Sequence, residues 1–222
     1  MKETCDSGAH VVAMEPSRPA MAIVTSPDSD VDHPAQLADL PIAVNFHAGS
    51  HFACIRMLEG FLGQKHLNML DYGHPEFRFD AMMRGEVSAA VIMEPFITLA
   101  EKLGCNILTE AFFTSTDVAR DDMDEDTLTA LFKALGRAVD YLNQNPQHKR
   151  QYVHYLLEDI PDDFPWGKPT IDDFRLSRLR FKPPTPYTEK EFNLTADLMI
   201  RWNLLSPDAT YQKMVNQMGQ KE

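Results

Sequence analysis

Residues 41–62, with the sequence PIAVNFHAGSHFACIRMLEGFL, decide the fold class. The short apolar run at 42–46 is typical of a buried strand, and the residues 47–49 that follow it favour a turn. Ser50 is a good N-cap, and apolar residues at helical spacing behind it predict a helix that ends near Leu62. This stretch therefore predicts one strand–turn–helix unit.

The same unit recurs towards the C-terminus, with further strands predicted at 67–72, 87–93 and 105–108 and further helices at 76–84 and 96–103. Residues 87–93, VSAAVIM, are apolar almost throughout, as in a strand that is buried on both faces. Strands and helices that alternate at this spacing predict an α/β fold with a mainly parallel sheet and helices on both faces.

The flanking segments follow other patterns. Residues 20–25 predict a short strand, and residues 26–39, rich in Asp, Pro and small polar residues, predict an exposed connector. After residue 113, amphipathic helices are expected: one behind the acidic residues 121–126, one at 147–157, one at 170–180, and one led by the capping-box sequence 188–191. We therefore expect three segments, 1–40, 41–115 and a helical 116–222.

Composition excludes several classes of protein. The chain has 222 residues, is 44% hydrophobic and carries 33 acidic against 21 basic side chains, for a formal net charge of −12. A chain of this composition can bury a core, which argues against disorder. Its acidity disfavours nucleic acid and anionic membranes as partners, so any anion site must be local.

The cysteines give little indication of metal, disulfide or catalytic chemistry. Cys5, Cys54 and Cys105 lie far apart without a C-x-x-C pair, so we expect them to be reduced. Cys54 lies near the apolar side of the first predicted helix, which favours packing. A nucleophilic role with His51 or His47 as the base is the alternative.

Ligand chemistry is expected in the strand-to-helix turns, because open parallel sheets bind ligands beyond the carboxyl ends of their strands. The turn at 45–51 is the best anion candidate, since a helix start offers free N–H groups. The alternative is that Gly49 only makes the turn and Ser50 only caps the helix. His74 and Glu94 lie in the next two turns. His74 is either a ligand contact or a turn residue. The carboxylate of Glu94 must be paired, hydrogen-bonded or at the cleft mouth.

Metal and nucleotide chemistry find no support in the sequence. His47 and His51 lack the third and fourth ligands of a zinc site, so no metal and no cofactor are expected. No phosphate-loop, dinucleotide, esterase or zincin motif occurs. The basic stretch formed by Arg175, Arg178, Arg180 and Lys182 is interpreted as a solvated helix face.

Four segments together resemble one family: QLADLPIAV (36–44), AMMRGEVSAA (81–90), MEPF (93–96) and AEKLGCNIL (100–108). Their order, with a Gly-Ser helix start between the first two, is similar to the second lobe of the nitrate/sulfonate/taurine-type substrate-binding proteins of ABC transporters. The thiamine-pyrimidine synthases share that fold. The resemblance implies a type II periplasmic-binding-protein-like lobe that holds a small organic or inorganic anion for an ABC permease. It places the ligand contacts at Asn45, His47, Gly49, Ser50, His51, His74 and Glu94.

The chain also departs from the family pattern. Most of the first lobe and an export signal are missing from this sequence, so residues 1–40 are interpreted as a first-lobe remnant and connector. The missing lobe implies self-association or a partner that supplies it. Localisation is periplasmic if a signal lies upstream, and cytoplasmic for the sequence as written. The alternatives are a binding-protein-fold enzyme of small-molecule or thiamine-pyrimidine-type metabolism, although the cysteine-rich iron motif of those synthases is not found, and a ligand-sensing module without catalysis.

Overall fold

The computed structural model describes residues 8–219. Its strands are β1 (Ala9–Met14), β2 (Ser17–Arg18), β3 (Ala20–Thr25), β4 (Pro41–Val44), β5 (Asn68–Asp71), β6 (Ala89–Met93), β7 (Asn106–Phe112), β8 (Thr116–Arg120) and β9 (Arg180–Phe181). Its helices are α1 (Gly49–Leu58), α2 (Pro75–Met83), α3 (Phe96–Lys102), α4 (Glu125–Gln144), α5 (Pro146–Glu158), α6 (Glu189–Arg201) and α7 (Tyr211–Met214). Cys5 lies outside the described residues, so its reduced state stays a prediction.

The chain divides into two compact units. The sheet unit comprises Pro19–Phe113 and Asn145–Arg180. The terminal unit comprises the described parts of Met1–Arg18, Thr114–Gln144 and Phe181–Glu222. This division differs from the expected boundaries at residues 40 and 115, because the backbone of β3 is hydrogen-bonded inside the sheet and residues 145–180 pack with it.

A five-stranded sheet organises the sheet unit, in the order β5-β4-β6-β3-β7. β4 pairs parallel with β5 and β6, whereas β3 pairs antiparallel with β6 and β7. Four strands therefore run in one direction and β3 runs against them. The predicted mainly parallel α/β sheet is confirmed, and the carboxyl ends of β4, β5 and β6 lie along one edge.

Two apolar cores cover the two faces of this sheet. Alternate residues of β6 serve both: Ala89 and Val91 pack with α1, while Ala90 and Ile92 pack with α2 and α3. On the second face, Phe79 is fully buried and its ring contacts two further phenylalanines at centroid distances of 5.8 and 6.1 Å. Burying one such side chain contributes roughly 1.5–3 kcal/mol. The VSAAVIM stretch is apolar because both faces of β6 are covered.

The structure corrects two predicted segments of the sheet unit. Residues 170–180 do not form a helix: they form 3-10 turns at Ile171–Asp173 and Leu176–Arg178 and lead into β9. The stretch at 26–39 is not wholly exposed, since it contains a 3-10 turn, Pro34–Leu37, in which Pro34 and Leu37 are buried. In both segments a few apolar residues dock locally without a continuous helical stripe.

The terminal unit combines a two-stranded sheet with helices. β1 and β8 pair antiparallel, and Val12 and Ala119 pack with Leu128 and Phe132 of α4. β8 was not expected from the sequence, where only helices were predicted after residue 113. The capping box at the start of α6 is confirmed, because Thr188 and Glu191 hold each other's backbone N–H groups. Among residues 8–219, no helix is both long and apolar enough to cross a bilayer.

Candidate functional site

The first cleft-facing turn connects β4 to α1. Ala48 is the N-cap of α1 and offers no side-chain hydrogen bond. Ser50 does not cap the helix as predicted: it lies within the first turn, and its Oγ accepts a hydrogen bond from the Asn45 backbone N–H at 2.8 Å. The first N–H groups of α1 are therefore left without a side-chain cap, and this is the feature that favours an anion.

The second turn is tied to the first by one carboxylate. Asp71, at the end of β5, accepts hydrogen bonds through Oδ1 from the backbone N–H groups of Phe46 at 3.3 Å and Gly73 at 3.2 Å. The backbone of the second turn then continues through His74 into α2. Asp71 therefore ties the two turns to each other through its own hydrogen bonds.

Arg78 in α2 is a buried cation that the sequence analysis missed. Its side chain is only 4% exposed; Nε donates to the carbonyl of Val91 at 2.7 Å and Nη1 donates to the carbonyl of Gly73. No carboxylate of residues 8–219 forms an ion pair with it. Burial lowers the pKa of Arg78 to about 10, against the smaller raising effects of Glu76 and Asp71, so the group stays charged at neutral pH.

A signal for Arg78 was present in the sequence. Residues 75, 78, 79 and 82 follow helical spacing, so an arginine at position 78 shares a face with Phe79 and Met82. Both of those apolar side chains are buried. A lone cation on the apolar face of a helix that follows a cleft turn indicates either an internal ion pair or a ligand contact.

These elements enclose a pocket of about 180 Å³ at the carboxyl edge of the sheet. The first turn and α1 contribute Asn45, Ala48, Gly49 and Ser50; the second turn and α2 contribute Gly73, His74, Pro75 and Arg78; β3 and β6 contribute Met21, Val91, Ile92 and Met93. Four of the seven predicted ligand residues therefore lie together: Asn45, Gly49, Ser50 and His74. His47, His51 and Glu94 do not line the pocket.

His47 and His51 form a local pair that shapes the turn. His47 has a positive φ of 64°, and its backbone N–H donates to Nδ1 of His51 at 3.2 Å. In this arrangement Nδ1 is an acceptor, so the ring of His51 is neutral. Burial, with a smaller effect of His47, lowers the pKa of His51. This ring therefore gains its charge at a lower pH than an ordinary histidine.

Glu94 is directed into the protein and away from the pocket. Its Oε2 accepts hydrogen bonds from the backbone N–H of Thr98 at 3.1 Å and from Thr98 Oγ1 at 2.8 Å. Its Oε1 is buried without a hydrogen-bond donor and lies 3.5 Å from Nη1 of Arg178. Burial raises the pKa of Glu94. Of the three alternatives stated for Glu94, the structure shows a hydrogen-bonded carboxylate, turned towards α3 and not lining the pocket.

Arg178 departs from the interpretation of the basic stretch as solvated, whereas Arg175, Arg180 and Lys182 are exposed. Arg178 is 4% exposed and donates two hydrogen bonds of 2.8 Å to Glu101 and bonds of 3.0 and 2.8 Å to Glu110. The hydrogen bond to Glu101 is the largest of the effects that raise its pKa. Arg178 joins the 3-10 turn at 176–178 to α3 and β7, so its role is structural.

Cysteine and metal chemistry receive no support from the described residues. Cys54 is fully buried and desolvation raises its pKa to about 12; Cys105 is buried and its pKa is raised to about 11. Thiols held this far from ionisation are not nucleophiles at neutral pH. Within residues 8–219, no group of three or more His, Cys, Asp or Glu side chains is placed to hold a metal ion.

Comparison with known proteins gives similarity of structure without similarity of sequence. No protein-family model matches the sequence, and no curated protein matches it. The alkanesulfonate-binding protein SsuA from Xanthomonas axonopodis pv. citri, bound to MOPS, is similar at a TM-score of 0.76 and 16% identity, over 97% of this chain and 76% of that one. The periplasmic aliphatic sulphonate binding protein SsuA from Escherichia coli is similar at a TM-score of 0.69 and 21% identity, over 99% and 73%.

Proteins of other descriptions share the architecture. A Candida albicans gene product described as having the generic periplasmic binding protein fold is similar at a TM-score of 0.71 and 13% identity, over 100% of this chain and 77% of that one. The desulfurization enzyme DSZB is similar at a TM-score of 0.56 and 13% identity, over 98% and 82%. At these identities the likeness concerns fold, and it confirms that this chain has a periplasmic-binding-protein-like fold.

Proposed function

We propose that this chain is a substrate-binding protein that holds a small organic anion in the pocket between the first turn and α2. The observation that carries the proposal is that one pocket holds two positive features, neither of which has a carboxylate among its hydrogen-bond partners. One is the uncapped N-terminus of α1, and the other is the buried guanidinium of Arg78, which has only backbone carbonyls as protein partners. An acid group placed there receives helix N–H groups and a charged donor together.

The rest of the lining defines the other part of the ligand. Met21 and Met93, whose side chains leave the sheet on the same face, give the pocket an apolar wall. The pocket volume of about 180 Å³ is close to that of an engineered protein cavity of about 150 Å³ that holds benzene in T4 lysozyme. A sulfonate or carboxylate with a short carbon chain or one ring therefore fits both the polar and the apolar lining.

The electrostatic attraction for the anion must come from groups inside the pocket. The formal charge of −12 repels anions at a distance. Arg78 is screened from solvent by its burial, so its interaction with a bound acid group is stronger than that of a surface cation. We expect affinity that depends little on ionic strength and an association rate that rises with added salt.

Transport is the biological role we propose for the binding activity. Similar structures are described as sulfonate-binding proteins, and the description of one of them, from Methylobacillus flagellatus, names a sulfonate ABC transporter. Carried to this chain, these descriptions make the ligand a sulfonate or related anion and the partner an ABC permease. An enzymatic use of the fold, as in DSZB, finds no thiol in the described pocket, since Cys54 and Cys105 are buried elsewhere.

Calorimetric titration tests the proposal. The panel is methanesulfonate, ethanesulfonate, benzenesulfonate, acetate, nitrate and sulfate, against wild type, Arg78→Met and the matched control Arg84→Met. Arg84 is the C-cap residue of the same helix, but its side chain is exposed and paired with Asp80. Loss of a charge-assisted donor costs about 1.5–3 kcal/mol, so Arg78→Met should weaken organic-anion binding by about ten- to a hundredfold, and Arg84→Met should not.

Folding must be separated from binding in this test. Arg78→Met also removes two internal hydrogen bonds, so the Tm of each variant is measured alongside its affinity. Arg78→Lys keeps the charge and loses the planar donor geometry, and it should recover part of the affinity. The proposal fails if wild type binds no member of the panel, or if a folded Arg78→Met binds as wild type does.

A further inference from the structure

Two methionines lie side by side in the apolar wall of the pocket. Met21 of β3 and Met93 of β6 are directly opposite partners in an antiparallel pair, so their side chains leave the sheet on the same face. Both line the pocket, and both are half-buried. Their thioethers are therefore reachable by a small molecule that enters the pocket.

Met21 also lies tightly against the anion end of the site. A Cβ atom at Gly49, the first residue of α1, would lie 2.9 Å from Cε of Met21, which is closer than side chains tolerate. The methyl end of Met21 thus fills the space beside the helix N-terminus. An extra oxygen on its sulfur would have to move the side chain into the pocket or against α1.

We propose that Met21 and Met93 form an oxidation site and that their sulfoxides close the pocket to its ligand. The effect on the ligand rests on the function proposed above; the oxidation itself does not. The co-reactant is a hydroperoxide such as hydrogen peroxide. The sulfur attacks one peroxide oxygen, the O–O bond breaks, an S–O bond forms and the second oxygen leaves as water; the sulfur loses two electrons and the peroxide gains them.

The sulfoxide changes the wall in two ways. It is polar where the thioether was apolar, and it is stiffer and larger. Among the residues that line the pocket, those with side-chain donors belong to the two turns, α1 and α2, so an oxygen on the sulfur of Met21 or Met93 has no donor within the methionine wall. A ligand with an apolar part then meets an unpaired polar oxygen, which disfavours binding.

Burial separates protected from reachable methionines in the sheet unit, where Met69 and Met83 are half-buried like Met21 and Met93 but do not line the pocket. Met57 is 7% exposed and Met82 is 1% exposed, so both are protected in the native fold. Met123, which is 39% exposed in the terminal unit, is expected to react but lies outside the pocket. This set supplies both protected and reactive controls within the same chain.

The experiment treats the full chain with graded hydrogen peroxide and maps oxygen addition to each methionine by peptide mass spectrometry. We expect Met21, Met93 and Met123 to oxidise before Met57 and Met82. Binding of ethanesulfonate is measured on the same samples. We expect its affinity to fall by about ten- to a hundredfold, because a buried unpaired polar group costs about that factor in an equilibrium constant.

Matched variants assign the effect. The double variant Met21→Leu/Met93→Leu keeps the wall apolar at similar volume. Its affinity for ethanesulfonate before peroxide treatment is the reference, and treatment should leave that affinity unchanged. Met123→Leu should lose affinity on treatment as wild type does. Tm measurements before and after treatment confirm that the oxidised protein stays folded, and methionine sulfoxide reductases should restore binding.

Each failure has its own meaning. If Met21 and Met93 oxidise no faster than Met57 and Met82, the oxidation site is refuted whatever the protein binds. If they oxidise selectively and ethanesulfonate affinity is unchanged, closure of the pocket is refuted. If the untreated protein binds none of the anion panel, the proposed function fails, while the mapping still decides the oxidation site.

Discussion

Replacement of Arg178 by methionine should destabilise the sheet unit by about 3 kcal/mol, the low end of the 3–5 kcal/mol range for breaking a buried ion pair. The side chain is 4% exposed and makes four hydrogen bonds of 2.8–3.0 Å with Glu101 and Glu110. The carboxylates that it leaves behind are 22% and 27% exposed. Because water reaches them in part, the low end of the range applies.

Arg175 provides the control. It contacts the same Glu101 at 3.0 Å, but its side chain is 65% exposed. An exposed pair contributes about 0–1 kcal/mol, so Arg175→Met should be nearly neutral. For a chain of this size, about 3 kcal/mol corresponds to a fall in Tm of roughly 6–12 °C. Urea unfolding followed by far-UV circular dichroism and by tryptophan emission, to which Trp166 of the sheet unit contributes, measures both variants.

Acid unfolding gives an independent check on Arg178. The hydrogen bond from Arg178 lowers the pKa of Glu101, so the ionised carboxylate stabilises the fold at neutral pH. This contribution is lost as the pH falls from about 4.5 through the folded-state pKa of Glu101. Arg178→Met should flatten this part of the pH dependence. Equal effects of Arg178→Met and Arg175→Met, or an unchanged acid limb, would refute the buried-network argument.

Four further predictions concern the candidate site and its surroundings. Ser50→Ala should cost about 0.5–1.5 kcal/mol of stability by urea unfolding, because it removes the acceptor of a backbone N–H; an unchanged midpoint would contradict this. Gly49→Ala should weaken benzenesulfonate binding more than methanesulfonate binding in calorimetry, since the new Cβ pushes Met21 into the pocket; equal effects on the two ligands would argue against the assigned wall. Because burial lowers the pKa of His51, the unfolded chain takes up this proton first, so stability should fall as the pH drops below about 6.5; His51→Gln should lose that part of the slope. Burial raises the pKa of Glu94, so its negative charge destabilises the fold at pH values above the folded-state pKa. Wild type should therefore gain stability as the pH falls from 7 through that pKa, and Glu94→Gln should not show this gain. An identical pH profile for the two proteins would overturn the assignment.

The alternation of strands and helices between residues 41 and 112 was predictable because it depends on local patterns. Apolar runs of four to seven residues, followed by a turn and a helical stripe, lie close to the observed β4, α1, β5, α2, β6, α3 and β7. The place of β3 was not predictable in the same way. Its sequence predicts a strand, but antiparallel insertion between β6 and β7 is set by partners about 70 to 90 residues away in sequence.

The site was predicted in part for a related reason. The edge rule for parallel strands located the turn at Asn45 and Ser50 and the turn at His74, and these residues do line one pocket. Glu94 also follows a strand, but the direction of its side chain depends on how β6 ends, which residue type does not specify. Arg78 had a readable signal in its helical spacing, whereas the burial of Arg178 depends on three carboxylates from distant positions.

The two buried arginines of the sheet unit distinguish a structural cation from a binding one. Arg178 is surrounded by Glu94, Glu101 and Glu110, so its charge is more than neutralised within the protein and no anion gains by approaching it. Arg78 has the same 4% exposure but only carbonyl partners, and its positive charge remains for a ligand. Burying a cation without a counter-ion costs stability, so the fold bears a cost at Arg78 that it avoids at Arg178. A bound acid group would remove that cost, which is the physical reason to place the anion at the N-terminus of α1 beside Arg78.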